Sequence, residues 1–208
     1  MAGRSLYLCT GDRPDLETFV AACIAGGVDV VQLRDKQLEA RQVIARGKVA
    51  ARVCAERGVP FIVNDRPDLA LEIGADGVHV GQDDAPASLA RSILGADAVI
   101  GLSTHDEAQL EASIAEPVDY VSAGPVEATP TKPGRPGTGT GYIGFAVARS
   151  RRPVFVTGGV TPPTVAPLAA AGARCFVVVR YLTESDDPRR AAAALRRAID
   201  TAVEAAAG

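Results

Sequence analysis

Short apolar runs rich in Val and Ile recur along the whole chain and alternate with more polar stretches. There are eight of them, in the order "LYLC", "VDVVQL", "PFIVN", "GVHV", "AVIGLS", "DYVSAG", "PVFVTG" and "CFVVV". Apolar residues at consecutive positions are typical of a strand that is buried on both faces of a parallel sheet. We therefore predict eight parallel strands.

The segments between these runs place their apolar residues at helical spacing, as in "DLETFVAACIAGG" and "ARQVIARGKVAARVCAERG". An Ala-rich stretch, "DPRRAAAALRRAIDTAVEAAAG", predicts a long last helix. A strand followed by a helix, repeated eight times within 208 residues, predicts an α/β fold built as a single (β/α)8 TIM barrel over residues 1–208. An open doubly wound sheet is the alternative, because periodicity does not show whether a sheet closes.

Composition narrows the possible functions. Hydrophobic residues make up 47% of the chain, which is enough for the core of one domain. The net charge is -3, with Lys and Arg scattered among Asp and Glu, so we expect no nucleic-acid partner. The widely spaced Cys9, Cys23, Cys54 and Cys175 form no CxxC, which argues against a disulfide framework or a zinc site. No apolar run is long enough for a signal peptide or a membrane span, and we expect a cytoplasmic protein without a membrane partner.

Polar residues gather at the carboxyl ends of the predicted strands, where (β/α)8 barrels build their active sites. In "VQLRDK", Gln32, Arg34 and Lys36 occupy alternate positions and would share one face of a strand. Such side chains are costly inside a sheet unless a ligand or a partner satisfies them. The later strand ends add Asn64, Asp65, Gln82, Asp83, Asp84, Ser103, Thr104, His105 and Arg180.

Several of these residues also have an ordinary structural interpretation. Asp65 is as well suited to cap a helix that begins at Pro67 as to bind a metal ion. Asp83 and Asp84 are suited to cap the following helix, so we expect no more than one of them to be functional. For His79, between two valines, we predict a packed and hydrogen-bonded core histidine.

The segment after the sixth strand, "GPVEATPTKPGRPGTGTG", is long and rich in Gly and Pro. Its "GTGTGYIG" matches GxGxxG formally, but a dinucleotide-binding turn needs a strand directly before it and an acidic residue about twenty positions later. We predict instead a lid that carries Thr129, Thr131 and Lys132 and closes over an anion. A disordered loop is the alternative.

Two further features indicate phosphate chemistry. The "TGGV" turn, which includes Gly159, and the end of the eighth strand at Val179 and Arg180 lie where barrels commonly bind phosphate. Asp65 and Asp84, beside amide and cationic donors, suit a Mg2+ ion that carries a diphosphate. Two anionic substrates, one of which leaves as pyrophosphate, would define a group transfer without a protein nucleophile.

The motifs "QLRDK", "NDRPDLA", "GVHVGQDD", "GLSTH", "DYVSAGPVEATPTKP" and "TGGVTP" occur in the order and spacing of thiamine phosphate synthases, and the resemblance covers essentially the whole chain. It implies a (β/α)8 transferase of thiamine biosynthesis that joins a hydroxymethylpyrimidine diphosphate to a thiazole phosphate. The products would be thiamine phosphate and pyrophosphate. The implied mechanism needs Mg2+ and is dissociative: pyrophosphate leaves before the thiazole nitrogen attacks.

The resemblance also implies a role for individual residues. The metal ligands would be Asp65 and Asp84, and the catalytic residues Arg34, Lys36, Ser103 and Lys132. The substrate-binding residues would be Gln32, Arg34, Lys36, Asn64, Ser103 and Lys132 for the diphosphate, and Thr129, Thr131, Gly159, Val179 and Arg180 for the thiazole phosphate. One departure from the family pattern is "VVVRYL", which stands where a "VSAI"-like run is usual. Arg180 would then contact the thiazole phosphate either through its side chain or only through its backbone.

Two other functions compete with this interpretation. A related barrel isomerase would tautomerise the thiazole and would need a phosphate site without the diphosphate-binding residues. A non-catalytic module that binds a phosphorylated metabolite would need neither the metal pair nor the lid. The residues for the diphosphate favour the synthase, which would have small-molecule substrates as its partners, and we expect a homodimer.

Overall fold

The computed structural model describes residues 1, 3–128 and 136–206. Its centre is a closed barrel in which every strand pairs in parallel with the next and the eighth pairs with the first. The strands are β1 Leu6–Thr10, β2 Val30–Leu33, β3 Phe61–Asn64, β4 Gly77–Val80, β5 Val99–Thr104, β6 Tyr120–Ala123, β7 Val154–Thr157 and β8 Cys175–Val178. The predicted (β/α)8 barrel is confirmed, and the open doubly wound sheet is wrong.

Helices surround this barrel. They are α1 Leu16–Ala25, α2 Ala40–Ala55, α3 Pro67–Ile73, α4 Ala87–Leu94, α5 Glu107–Ser113, α6 Gly139–Arg149, α7 Pro162–Ala170, α8 Arg180–Thr183 and α9 Pro188–Ala205. Proline at the first turn begins α3, α7 and α9, because its fixed φ suits a position where no backbone N–H is needed. The formal GxGxxG match lies within α6. Within the described ranges, no helix is long and apolar enough to cross a membrane.

The core has two layers, which explains why the strands are apolar on both faces. The larger layer lies between the strands and the helices. The smaller fills the inside of the barrel and contains the buried side chains of Tyr7, Val30, Ile62, Tyr120 and Phe155. Edge-to-face contacts join Phe155 to both tyrosine rings, with centroids 5.4 and 5.2 Å apart. Such ring pairs add roughly 1 kcal/mol each to the energy of burial.

All four cysteines are free thiols, as predicted. Burial raises the pKa of Cys23 and of Cys54 to about 12, and that of Cys175 to about 11. These three side chains therefore stay protonated at neutral pH and act as small apolar groups in the packing.

Close contact between β4 and β5 depends on glycine at position 77. A Cβ built on Gly77 would lie 1.8 Å from the carbonyl oxygen of Val99, which is backbone and has no room to move. We predict that Gly77→Ala lowers the free energy of unfolding by about 3 kcal/mol or more, because overpacking must separate the two strands. Urea unfolding would measure the loss.

A matched control is Gly141→Ala in α6, where an added Cβ meets nothing within 4 Å. Alanine favours a helix over glycine, so this variant should be more stable by roughly 0.5–1 kcal/mol. Equal stability of the two variants would contradict the packing argument.

Candidate active site

A cavity of about 250 Å³ opens at the carboxyl ends of the strands, and residues from all eight strands or the segments after them line it. The parallel register brings these ends together from distant parts of the sequence. The predicted site residues that the cavity contains are Gln32, Arg34, Lys36, Asn64, Asp65, Asp84, Ser103 and Val179. Thr129, Thr131 and Lys132 lie outside the described residues.

The three polar residues of "VQLRDK" occupy different environments. β2 ends at Leu33, so Gln32 lies inside the barrel with 5% of its surface exposed. Arg34 and Lys36 follow the strand at the mouth of the cavity. Among the described residues, the Arg34 side chain has neither an ion pair nor a hydrogen bond. A guanidinium without a partner at the mouth of a cavity is suited to bind an anion.

Asp65 lies at the centre of the charged mouth. Its φ is 63°, a left-handed conformation that is unusual for a residue other than glycine. Oδ2 of Asp65 lies 3.0 Å from Nζ of Lys36. Burial and a hydrogen bond with Asp84 raise the pKa of Asp65, whereas Lys36 lowers it, and the net shift is upward. The two carboxylates are therefore close enough to repel each other.

The capping interpretations of the acidic residues are wrong. The residue before α3 is Arg66, and the residue before α4 is Pro86, and neither helix has a side-chain cap. Oδ2 of Asp84 instead accepts a hydrogen bond from the backbone N–H of Gly81 at 2.8 Å. This bond holds Asp84 in the loop after β4, where it faces Asp65.

The mouth fits a divalent cation. In the described ranges, no three His, Cys, Asp or Glu side chains come together in a group that could hold a metal ion, and a cation at the mouth would depend on the pair of carboxylates Asp65 and Asp84. Mg2+ is commonly held by one or two carboxylates together with water and phosphate oxygens. When ionised, Asp65, Asp83 and Asp84 exceed the charge of Arg34 and Lys36 by one. A divalent ion would make the net charge of the mouth positive, as an anionic ligand requires.

His79 has the predicted packing and hydrogen bonds, but it also lines the cavity, which sequence reasoning did not foresee. Its Nδ1 lies 3.0 Å from the hydroxyl of Tyr120, and its Nε2 lies 2.9 Å from Oγ of Ser103. His105 borders the same cavity, and its Nδ1 contacts the carbonyl oxygen of Gly124. Both histidines therefore join strand ends beneath or beside the site.

Sequence reasoning missed four further polar residues of the cavity wall: Tyr7, Cys9, Tyr120 and Ser122. Tyr7 and Cys9 lie two positions apart on β1, and Tyr120 and Ser122 lie two positions apart on β6. Both pairs therefore face the inside of the barrel. A polar group that alternates with apolar neighbours, as in "YVS", was the available signal. It resembles ordinary core packing, and only the closed barrel shows that these side chains lie below a ligand cavity.

A second cavity, of about 100 Å³, adjoins the first and shares Thr157, Val177 and Val179 with it. Gly158, Gly159 and Arg180 also line it. Both glycines have left-handed backbones, with φ of 96° and 75°. The hydroxyl of Thr164 donates to the carbonyl oxygen of Gly159 at 2.9 Å and so holds the turn in place before α7.

Glu127 is an unexpected neighbour of this turn. A Cβ built on Gly159 would lie 2.7 Å from Oε2 of Glu127, so the carboxylate lies directly over the glycine. This is the position at which the sequence predicts a phosphate group. A carboxylate there opposes an anionic ligand, and it must move away or become screened when such a ligand binds.

Comparisons with known proteins identify the family of this chain. The sequence profile of the family described as thiamine monophosphate synthase matches residues 6–182. A thiamine-phosphate synthase of Mycobacterium sp. (strain JLS) is 45% identical over 96% of this chain and 94% of its own. One of Thermobifida fusca (strain YX) is 47% identical over the same shares. The solved structure of thiamine phosphate pyrophosphorylase from Pyrococcus furiosus has a TM-score of 0.87 and 27% identity and covers 96% of each chain.

The contact between the two carboxylates should lower the stability of the ligand-free protein. We predict that Asp84→Asn raises the free energy of unfolding by about 1 kcal/mol, because the amide keeps an oxygen for the N–H of Gly81 and removes the repulsion on Asp65. For a chain of this length the melting temperature should rise by roughly 2–4 °C. Calorimetry in buffer without divalent ions measures the change.

Asp83→Asn serves as the control, since Asp83 lines the same cavity but does not contribute to the raised pKa of Asp65. Its melting temperature should match that of the unaltered chain. A fall in the melting temperature of Asp84→Asn would show that repulsion between the carboxylates is not significant.

Proposed function

This chain belongs to the thiamine monophosphate synthase family and is a transferase, and we propose that it joins a hydroxymethylpyrimidine diphosphate to a thiazole phosphate. The products are thiamine phosphate and pyrophosphate. The observation that carries the proposal is the shared wall of the two cavities, which would bring two anionic reactants side by side. Two reactants that are already bound side by side do not lose further translational and rotational entropy in the reacting step. This effect can lower the barrier of that step by several kcal/mol.

Mg2+ is the proposed cofactor, and Asp65 and Asp84 are its proposed ligands. The crowding of these carboxylates supports the assignment, since a cation between them relieves the repulsion that raises the pKa of Asp65. When bound, the ion would neutralise charge on the diphosphate. Nζ of Lys36 lies 3.0 Å from Oδ2 of Asp65 and is well placed to contact oxygens of the same diphosphate.

The pyrimidine diphosphate occupies the larger cavity in this proposal. Arg34, Lys36, Ser103 and Lys132 act as catalytic residues by donating hydrogen bonds or positive charge to the departing pyrophosphate, while Gln32 and Asn64 hold the substrate. A unit charge pair at 4 Å is worth roughly 4 kcal/mol near a protein surface. A few such contacts are enough to favour departure of the leaving group.

The thiazole phosphate occupies the smaller cavity. Gly159 and the backbone of Val179 supply donors there, Arg180 supplies charge, and Thr129 and Thr131 are further proposed contacts of the phosphate. Exposure of Arg180 at the rim of this cavity supports a contact through its side chain. The position of Glu127 makes this pocket less favourable for an anion until the carboxylate moves.

The reaction requires no nucleophile on the protein. We propose a dissociative sequence in which the carbon–oxygen bond to the diphosphate breaks first and the thiazole nitrogen then supplies the electron pair for the new carbon–nitrogen bond. The protein's part is to position the reactants and to stabilise charge. Tyr7 and Tyr120, below the cavity, are buried and protonated and therefore offer no base. This is consistent with the proposed order of bond breaking and bond formation, which needs none.

We also propose a cytoplasmic location, as expected for an enzyme of small-molecule biosynthesis, and a homodimer.

Release of pyrophosphate should require both substrates and Mg2+. Asp65→Asn should lower this rate by about 100-fold, because one ligand and one charge are lost at the reacting group. Lys132→Ala should also abolish product formation while the protein stays folded. A coupled pyrophosphate assay with circular dichroism of each variant measures both effects.

Asp83→Asn is again the matched control and should turn over at a near-normal rate. Near-normal turnover in Asp65→Asn would eliminate the proposed metal site. Conversion of the thiazole alone, without pyrophosphate, would identify the isomerase, and binding without any turnover would identify the non-catalytic module.

Glu127→Gln should lower the KM for the thiazole phosphate. Removing a negative charge from the pocket is worth about 1 kcal/mol at 4 Å in water, which corresponds to about a fivefold lower KM. Steady-state kinetics with the pyrimidine substrate at saturation measures the effect. Glu204→Gln, near the carboxyl end of α9, removes the same charge away from the pocket and should leave KM unchanged. Equal shifts in both variants would assign the effect to net charge alone.

A further inference from the structure

A continuous chain of hydrogen bonds forms the floor of the larger cavity. It runs from β1 and β2 across the barrel to β4, β5 and β6, and every member has less than one tenth of its surface exposed. Its members, in order, are Cys9, Gln32, Tyr7, Tyr120, His79, Ser103 and Ser122. Because each polar group is buried, the direction of each bond can be deduced from the donors and acceptors available.

The donor and acceptor of each bond can be assigned in turn, starting from the side-chain amide of Gln32. The thiol of Cys9 donates to Oε1 of Gln32 at 3.2 Å, which leaves the amide nitrogen facing Tyr7. An amide nitrogen only donates, so the hydroxyl oxygen of Tyr7 accepts this bond at 2.8 Å. The hydrogen of Tyr7 is then directed to the hydroxyl oxygen of Tyr120, 3.0 Å away.

The next bond joins the hydroxyl of Tyr120 to His79. Burial raises the pKa of Tyr7 and that of Tyr120 well above the ordinary value, so both phenols keep their hydrogens at neutral pH. Since Tyr120 accepts from Tyr7, its own hydrogen is directed to Nδ1 of His79 at 3.0 Å. Nδ1 accepts this bond, and the ring hydrogen of His79 must lie on Nε2.

Nε2 of His79 therefore donates to Oγ of Ser103 at 2.9 Å. Oγ of Ser122 lies 3.5 Å from both Nε2 and Oγ of Ser103. A serine hydroxyl that accepts from a ring N–H keeps its own hydrogen for another acceptor. Ser103 lines the cavity, so that acceptor can be a substrate atom.

Packing holds this arrangement in place. A Cβ built on Gly101 would lie 2.4 Å from the hydroxyl of Tyr120 and 2.5 Å from Nδ1 of His79, so only glycine leaves room for their bond. The two rings stack with centroids 5.5 Å apart. Turning the His79 ring over would move Nδ1 away from the hydroxyl of Tyr120 and break this bond.

The other histidine of the chain has the opposite tautomer. Nδ1 of His105 faces the carbonyl oxygen of Gly124, which can only accept, so the hydrogen of this ring lies on Nδ1. The chain contains only these two histidines. Their tautomers can therefore be measured separately.

We propose that His79 is a positioning residue: the bonds from Gln32, Tyr7 and Tyr120 hold it in the Nε2–H tautomer, and it thereby directs the hydroxyl hydrogen of Ser103 to the leaving diphosphate. This inference rests on the proposed function for the identity of the acceptor. The tautomer itself is independent of that function. The role is one of orientation, since in this proposal His79 acts through the hydroxyl of Ser103 and not on the substrate directly.

The first experiment measures the tautomers. Long-range proton–nitrogen NMR on protein labelled with ¹⁵N-histidine, recorded at a pH at which the ¹⁵N shifts show neutral rings, needs no substrate. We expect one ring with hydrogen on Nε2 and one with hydrogen on Nδ1. His105→Asn should remove the second signal and identify the first as that of His79. Hydrogen on Nδ1 of His79, or a mixture of its two tautomers, would overturn the proposal whether or not the protein makes thiamine phosphate.

The second experiment tests the role. Tyr120→Phe keeps the ring but removes the hydroxyl that bonds to His79, so both tautomers should appear in the spectrum. We expect kcat for pyrophosphate release to fall about tenfold, as for one lost hydrogen bond in the transition state, with KM within about twofold of normal. His79→Gln, which keeps a donor for Ser103, should retain more activity than His79→Ala.

Tyr142→Phe is the matched control, because Tyr142 is a buried tyrosine that bonds to Thr104 and lies outside the chain of bonds. It should change neither the tautomer of His79 nor kcat. Melting temperatures establish that each variant is folded. An unchanged kcat in Tyr120→Phe, or an equal loss in Tyr142→Phe, would overturn the positioning role.

Discussion

The closed parallel register of the eight strands is the constraint on which the rest of the structure depends. Because all strands run in one direction, their carboxyl ends form a single ring, and residues from Tyr7 to Val179 meet around one cavity. Each strand also turns alternate residues inward, so the ends of the inward rows form the cavity floor. Helices cover the outer face, which leaves the mouth as the place where polar groups meet water and ligand.

Burial of polar groups inside the barrel is possible because they bond to one another. In the described part of the chain, no buried side-chain nitrogen or oxygen is without a hydrogen-bond partner. Partly satisfied networks cost more than an apolar core, whereas fully satisfied ones stabilise one arrangement of side chains. The floor of the cavity is therefore rigid, and its bonds continue from Gln32 to Ser103, which connects two of the proposed substrate contacts. Above it, Asp65 and Asp84 retain an unfavourable contact that a bound cation would relieve.

Much of the site could be predicted before the fold was known, and the reason is local. A period of two in "VQLRDK" predicted a shared side for Gln32, Arg34 and Lys36, and all three line the larger cavity although β2 ends at Leu33. The apolar runs located the ends of β3 and β5, near Asn64 and Ser103. The order of the motifs indicated the family. The choice between helix capping and metal binding for Asp65 could not be made, because both uses suit an acidic residue just before a helix.

Sequence by itself determined the number of strands, the face to which each side chain points and the family, since these depend on residues near one another in the chain or on a whole pattern of motifs. Only the tertiary structure decided that the sheet closes and that the hydroxyl oxygen of Tyr7 lies 3.0 Å from that of Tyr120. It also decided that Glu127 lies over Gly159. Periodicity specifies the face of a strand but not its partner across a barrel. Contacts between residues more than a hundred positions apart arise only when the eighth strand pairs with the first and encloses them.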